Sequence, residues 1–130
     1  VSDYLSNEKR SKYLNIKATR NGQVYDSKAE AARYTELRLL EMAGEISDLE
    51  RQPKYTVLDG FRDGFGKWHR VVTWTPDYRY FDKQAGHWVV EDVKGGDGRW
   101  STKTTDWSLR TKLFRLRYPD IEVRVVEKGG

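Results

Sequence analysis

Residues 70–94 read RVVTWTPDYRYFDKQAGHWVVEDVK, and this stretch decides the fold. Arg70–Phe81 and His87–Lys94 are both rich in β-branched and aromatic side chains, and Asp82–Gly86 between them is a polar turn. The stretch therefore predicts two strands that pair antiparallel. Pro76 has no N–H to give to a ladder, so it implies an edge, a bulge or a break in the first strand. Side chains alternate faces along a strand. Trp88, Val90, Asp92 and Lys94 thus share one face, and Val89, Glu91 and Val93 the other. Asp92 and Lys94 follow Val90 on a face that would otherwise be core. Pairing about the turn brings Asp77 towards Asp92, because both lie away from it. Two carboxylates held together repel unless something positive sits between them. A hard divalent cation with oxygen ligands is the usual answer. Plainer readings compete: Asp92 and Lys94 as a local ion pair at a strand end, and Pro76-Asp77 as a solvated strand terminus.

Working outward, the upstream part predicts a hairpin and then a helix. Ile16–Thr19 and Val24-Tyr25 flank Asn21-Gly22, the strongest short hairpin signal, since both central residues of that turn need positive φ. Lys28–Ala43 carries an apolar stripe of Ala29, Ala32, Leu37, Leu39, Leu40 and Ala43 at helical spacing. Ser27 and Glu30 have the spacing of a capping box, and Gly44 suits the residue after the helix. Glu30 falls at the rim of the apolar stripe. Its carboxylate has two competing uses: the backbone cap at Ser27, or a further acidic ligand beside Asp77 and Asp92. Lys54–Leu58 predicts a strand begun by Pro53, followed by a Gly-rich loop over Asp59–Gly66. Downstream, Gly95–Lys103 is a polar loop in which Gly95 and Gly96 let a ligand approach the backbone. A second helix over Trp107–Tyr118 has Asp106 as its predicted N-cap. Pro119 stops it, and Ile121–Val126 is a last strand. A helix between two strands implies a crossover, so that strand is expected parallel to a neighbour. The expected order is hairpin, helix, three strands, helix, strand, in a mixed α/β sheet flanked by helices.

Composition bounds the chemistry. The chain has 130 residues, with 24 Lys and Arg against 20 Asp and Glu, a net charge of +4. That length suits one domain, taken as residues 13–127, with a flexible segment at 1–12 and a tail at 128–130. Five Trp and eight Tyr supply a core and argue against disorder. With no Cys there is no disulfide, thiol nucleophile or Cys-based zinc site. Two His, His69 and His87, are too few for a His-rich metal site. Carboxylates are then the ligands left, and oxygen-only ligation favours Mg²⁺ or Mn²⁺. No apolar run reaches the ~18 residues of a membrane span, and Val1–Arg10 lacks the apolar stretch of a signal peptide. The expectation is a soluble cytoplasmic protein with no membrane partner.

Glu30, Pro76-Asp77 and Asp92-Val93-Lys94, in this element order, resemble the PD-(D/E)XK nuclease superfamily. More closely, Ser27-Lys28-Ala29-Glu30, Gly44-Glu45-Ile46, Gln52-Pro53, Pro76-Asp77-Tyr78 and Glu91-Asp92-Val93-Lys94-Gly95 are similar to a small phage-encoded endonuclease family. That family is akin to Holliday-junction resolvases and to the end-cutting nuclease subunit of Tn7-type elements. The resemblance spans about Tyr13 to Val126. It implies a restriction-endonuclease-like core and a Mg²⁺-dependent endodeoxyribonuclease, with Mn²⁺ able to substitute. Carried over, Asp77 and Asp92 are metal ligands, the Val93 carbonyl is an extra oxygen and Glu30 completes the acidic set. Lys94 orients or activates the attacking water. Asp92 stands where many members have Glu, which draws the metal closer to the strand. Gln52 has a supporting part, orienting a backbone or a ligand.

The implied partner is branched or nicked DNA inside a bacterial host, and symmetric cutting of two strands implies a homodimer. DNA needs compensating positive charge. Arg99, Lys103, Arg110, Lys112, Arg115 and Arg117 follow the strand that ends at Lys94, with Trp100 and Trp107 interleaved. On the second helix, Leu109, Leu113 and Leu116 are expected to face the core, with Lys112 at the border beside the sheet. Arg99, Trp100, Lys103, Arg110 and Lys112 are the expected DNA contacts, against the plainer reading of a solvated basic face. Arg62, Lys67, His69 and Arg70 are a weaker candidate grip on a phosphate. Rival readings are a nicking or duplex endonuclease, a DNA-binding subunit without activity, and an RNA-directed nuclease.

Overall fold

The computed structural model describes residues 18–20, 23–25, 28–94 and 104–127. Strands β1 (Ala18–Arg20) and β2 (Gln23–Tyr25) pair antiparallel as the expected hairpin. Helix α1 (Lys28–Met42) follows. It ends at Gly44, which has φ 81°. There the Glu45 N–H reaches the Leu40 carbonyl at 2.9 Å and the Gly44 N–H the Glu41 carbonyl at 3.0 Å. This double closure of the last turn needs a left-handed residue, and Gly adopts that conformation at no steric cost.

The chain then enters a strand that its side chains do not announce. β3 (Ile46–Arg51) is mostly polar and contains a bulge between Ser47 and Glu50, with Asp48 at φ 57°. The extra residue breaks the simple alternation, so Ile46 and Leu49 both pack on the core. This corrects the sequence-based order, in which Lys54–Leu58 was the first core strand. That segment, β4 (Tyr55–Leu58), pairs instead with β7 (Val72–Trp74) in a separate two-stranded ribbon. The ribbon leads into β5 (Phe61–Arg62) and β6 (Trp68–His69), a short hairpin where a loop was expected.

The predicted strand Arg70–Phe81 is broken at Thr75-Pro76 into β7 and β8 (Tyr78–Asp82). β8 pairs with β3 on one side and with β9 (His87–Lys94) on the other, both antiparallel. After α2 (Thr105–Arg117), β10 (Ile121–Glu127) pairs parallel with β9, as the crossover argument required. The four-stranded sheet is ordered β10-β9-β8-β3.

The parity read from β9 holds. Val89 and Val93 face α1, in a cluster with Leu37, Ile46, Tyr78 and Tyr80. Val90 faces α2, in a cluster with Val57, Trp74 and Phe114. Of the expected leucine row only Leu113 packs on the core, against the Val90–Phe114 cluster, and the rest of the buried face is a different row. Thr111 and Phe114 are buried, Trp107 and Tyr118 half-buried, at spacings of four, three and four residues. Leu109 is 54% exposed and Leu116 80%. The aromatic row wins because Phe114 meets Tyr55, Trp74 and Tyr118 at ring-centroid distances of 5.0 Å each. A cluster of rings buries more area than a row of leucines does. The N-cap is Thr104, whose hydroxyl accepts the Trp107 N–H at 3.1 Å, rather than Asp106. Asp106 lies in the first turn and pairs with Arg110. Among the described residues no helix is long and apolar enough to cross a membrane.

Candidate functional site

Asp77 sits at the point where the chain leaves the β4–β7 ribbon for the main sheet. Pro76, buried just before it, supplies no N–H and so ends the first ladder. The Asp77 backbone is held from both sides. Its carbonyl accepts the Gln52 N–H at 2.8 Å, and its own N–H reaches the Glu91 carbonyl at 2.9 Å. Gln52 has φ 51°, which turns the end of β3 back towards β8. Its contribution is thus through the backbone, while its side chain is exposed.

The two predicted carboxylates meet. The Asp77 N–H also donates to Asp92 Oδ1 at 3.1 Å, and the Val93 N–H donates to Asp77 Oδ2 at 2.7 Å. From α2, Trp107 Nε1 donates to Asp92 Oδ2 at 2.7 Å. Trp107 was read from sequence only as an aromatic among basic residues. A better signal was available: it heads the row Thr111, Phe114, Tyr118, and a part-buried indole N–H needs an acceptor.

Glu30 joins them from α1. It is 3% exposed, and its carbonyl accepts the Tyr78 hydroxyl at 2.7 Å. Its carboxylate lies near enough to Asp77 for its charge to raise the Asp77 carboxyl. Ser27, the other half of the predicted capping box, lies outside the described residues. Burial, then the nearby Glu30 and Asp92 charges, push the Asp77 carboxyl up to about 8, against a partial offset from the Val93 N–H. Burial also raises Asp92, while the Trp107 and Asp77 N–H groups pull it back.

The donor set is hard oxygen throughout, which suits Mg²⁺ or Mn²⁺. Among the described residues no three His, Cys, Asp or Glu side chains are already arranged around one point for a metal. Each carboxylate oxygen has a second lone-pair direction, so accepting one N–H leaves room for a cation. Crowded carboxylates and oxygen-only chemistry would fit a hard divalent ion. Lys94 ends β9, two residues beyond Asp92 on the same face, and is half-buried.

Behind β9 lies a group that sequence parity placed on the far face but did not recognise as buried. Glu91 is fully buried. It accepts Arg33 Nε at 2.9 Å, Arg33 Nη2 at 2.6 Å and the Tyr80 hydroxyl. Arg33 is one turn beyond Glu30, so this clamp ties the Glu30 end of α1 to the Asp92 strand.

The expected DNA contacts fare unequally. Arg99, Trp100 and Lys103 lie outside the described residues. Arg110 is half-buried and donates to Asp106 and to the Thr73 carbonyl, which makes it a tether between α2 and β7 rather than an available cation. Lys112 is exposed, away from the sheet it was expected to border, because the helix presents its aromatic row instead.

A family model described as "Protein of unknown function (DUF1064)" matches residues 10–129. The chain belongs to the DUF1064 family. No curated protein and no solved structure matches it. For this DUF1064 chain, the acidic site itself therefore has to carry the functional argument.

Proposed function

We propose that the chain is a Mg²⁺-dependent endodeoxyribonuclease of the PD-(D/E)XK kind. We infer that it acts as a homodimer on branched or structured DNA in phage DNA metabolism. One observation carries the reading: the Asp77 N–H holds Asp92 at a strand break, with the buried Glu30 close by and Lys94 next along the same face. The order α1, β3, β8, β9, α2, β10 supports it, because helix, three strands, helix, strand is the layout that the resemblance implies.

Asp77 and Asp92 would hold the cation, with Glu30 and the Val93 carbonyl as further oxygens. A bound divalent ion supplies Lewis acidity and an acidified water. The chain's own residues do the rest. Val93, Trp107 and the Asp77 N–H keep the carboxylates oriented before any ligand arrives, which lowers reorganisation cost. Lys94 sets a positive charge beside the phosphate and orients the attacking water. Branched DNA as substrate rests on the resemblance alone.

The test is a cleavage panel in Mg²⁺ with a four-way junction, a flap, a nicked duplex, plain duplex and single strand. Wild type and Asp92→Ala are run side by side, and sedimentation gives the oligomeric state. Metal-dependent cutting that Asp92→Ala abolishes is expected, with junctions preferred. Cutting that survives chelation, or survives Asp92→Ala, removes the nuclease reading. Equal cutting of plain duplex removes only the junction preference. A DNA-binding subunit without activity is the second reading, favoured by the two protein donors that already hold Asp92. Metal-independent binding without cleavage would select it.

A further inference from the structure

The sequence predicts a Gly-rich loop over Asp59–Gly66, yet with the residues up to Arg70 it forms a closed and internally braced hairpin. Asp63 organises its tip. Its Oδ1 accepts the Phe65 N–H at 2.8 Å and the Lys67 N–H at 3.0 Å, and its Oδ2 meets His69 Nε2 at 2.8 Å. The Asp63 N–H reaches the Lys67 carbonyl, and the Gly66 N–H the Asp63 carbonyl, both at 2.9 Å. Arg62 Nη1 donates to the Gly66 carbonyl at 3.1 Å. The rings below are stacked: Phe61 on His69 with centroids 5.0 Å apart, and the Arg62 guanidinium 5.7 Å from the Trp68 ring. Gly60 lets Trp68 lie against the backbone, since a Cβ there would fall 2.6 Å from the indole.

This frame holds Phe65 fully exposed at its apex. Phe61 and Trp68 are also about half exposed. The acids of the segment are spent within the fold, Asp63 on the tip and on His69, and Asp59 on Arg117 at 3.0 Å. Lys67 and Arg70 are exposed and make no ion pair with a described residue. The result is a preordered aromatic tip with an uncompensated Lys67 beside it and an uncompensated Arg70 at the base of the hairpin. An apolar protein partner would match the rings but leave Lys67 and Arg70 unanswered. A polyanion with flat apolar rings answers both.

We propose that the β5–β6 hairpin is a nucleic-acid contact in which Phe65 stacks on an unpaired DNA base while Lys67 and Arg70 meet the flanking phosphates. Stacking on an aromatic platform beside cations is how proteins hold single-stranded positions, and apolar side chains also wedge between bases at distorted steps. This deepens the nuclease reading and rests on it for the choice of DNA. From Gly66 to Asp77 the chain spans eleven peptide units, so the tip lies within about 40 Å of the acidic site. At ~3.4 Å per nucleotide, the stacked base falls within about a dozen positions of the cut.

The experiment measures binding by fluorescence anisotropy, in the Asp92→Ala background so that cleavage does not intervene. The probes are a duplex with a short single-stranded gap and the same duplex fully paired. Phe65→Ala should weaken binding to the gapped probe about 5- to 150-fold, the range of one lost base stack. It should have much less effect on the paired probe. Phe65→Trp should retain gapped binding, and Lys67→Ala with Arg70→Ala should flatten the salt dependence on both probes. Phe65 touches nothing that folding needs, so the melting temperature should stay within ~2 °C. Unchanged gapped binding in Phe65→Ala overturns the proposal. So does a change confined to self-association in sedimentation, which would assign the tip to a second copy of the chain. If Phe65-dependent binding is found but wild type does not cut, the nuclease reading fails and the hairpin proposal stands. If wild type cuts and Phe65→Ala binds normally, the hairpin proposal alone fails.

Discussion

Asp77→Asn should make the metal-free protein more stable at pH 8 while abolishing the proposed metal-dependent cleavage. Asn keeps a side-chain oxygen to accept the Val93 N–H, now at 2.7 Å from Asp77 Oδ2, and carries no charge beside Glu30 and Asp92. It therefore imitates the protonated site at every pH. The sign follows from linkage. Burial and the Glu30 and Asp92 charges raise the Asp77 carboxyl from 3.8 to about 8. Between those values the folded chain keeps a proton that the unfolded chain has released, so stability is greatest at low pH and falls as pH rises towards 8. About four units at ~1.4 kcal/mol each set a ceiling near 6 kcal/mol. Relaxation and water entry reduce this, and ~2 kcal/mol is the working expectation. With an unfolding entropy of ~2.1 cal/mol/K per residue over this chain, that corresponds to about 7 °C. Thermal unfolding by circular dichroism in chelator, from pH 5 to 8, provides the assay. Wild type should lose stability across the range apart from its background trend, and Asp77→Asn should lose distinctly less. Millimolar Mg²⁺ at pH 8 should raise wild type and leave the variant unmoved, since ligand binding stabilises only a competent site. Parallel pH curves for the two proteins would refute the crowded-carboxyl account.

The Arg33–Glu91 clamp makes a second prediction. Arg33→Met leaves a fully buried carboxylate with only Tyr80 as a side-chain partner and should cost about 3–5 kcal/mol in urea unfolding. Adding Glu91→Leu should recover most of that loss, and a double variant as weak as the single one would contradict the burial argument. The orientation of α2 can be tested directly. Phe114→Ala should cost about 3–5 kcal/mol, whereas Leu116→Ala should stay within ~0.5 kcal/mol. Equal losses would restore the leucine face. Thr104→Ala should cost ~1 kcal/mol by removing the hydroxyl that caps the Trp107 N–H, and a change below a few tenths would move the cap elsewhere.

Much of the candidate site was visible because strand geometry is strict. A period of two assigns every residue of β9 to a face, and the short turn at Asp82–Gly86 then sets which residues of β8 stand opposite. That is enough to bring Asp77 beside Asp92. Glu30 was placed at the core rim by helical period, but period alone did not say whether its carboxylate turns to the cap or to Asp77. β3 was invisible for a definite reason. Its sequence, Ile46–Arg51, alternates poorly, and the bulge at Asp48 resets the alternation midway. On α2, the leucines at 109, 113 and 116 and the row 107, 111, 114 and 118 both have helical spacing. Tyr55 and Trp74 across the gap select the second, to which Leu113 alone of the leucines adds.

The sequence by itself pointed to the α/β class, a parallel last strand, an edge, bulge or break at Pro76, and the approach of two aspartates. Each follows from local chemistry: alternation, a missing N–H, a turn of fixed length. The tertiary structure alone decided what the carboxylates touch, which face of α2 is buried, and that Glu91 is clamped by Arg33 beneath the site. Those outcomes depend on distant residues competing for the same space, hydrogen bonds and charge. One residue's spacing in the chain carries no record of which competitor prevails.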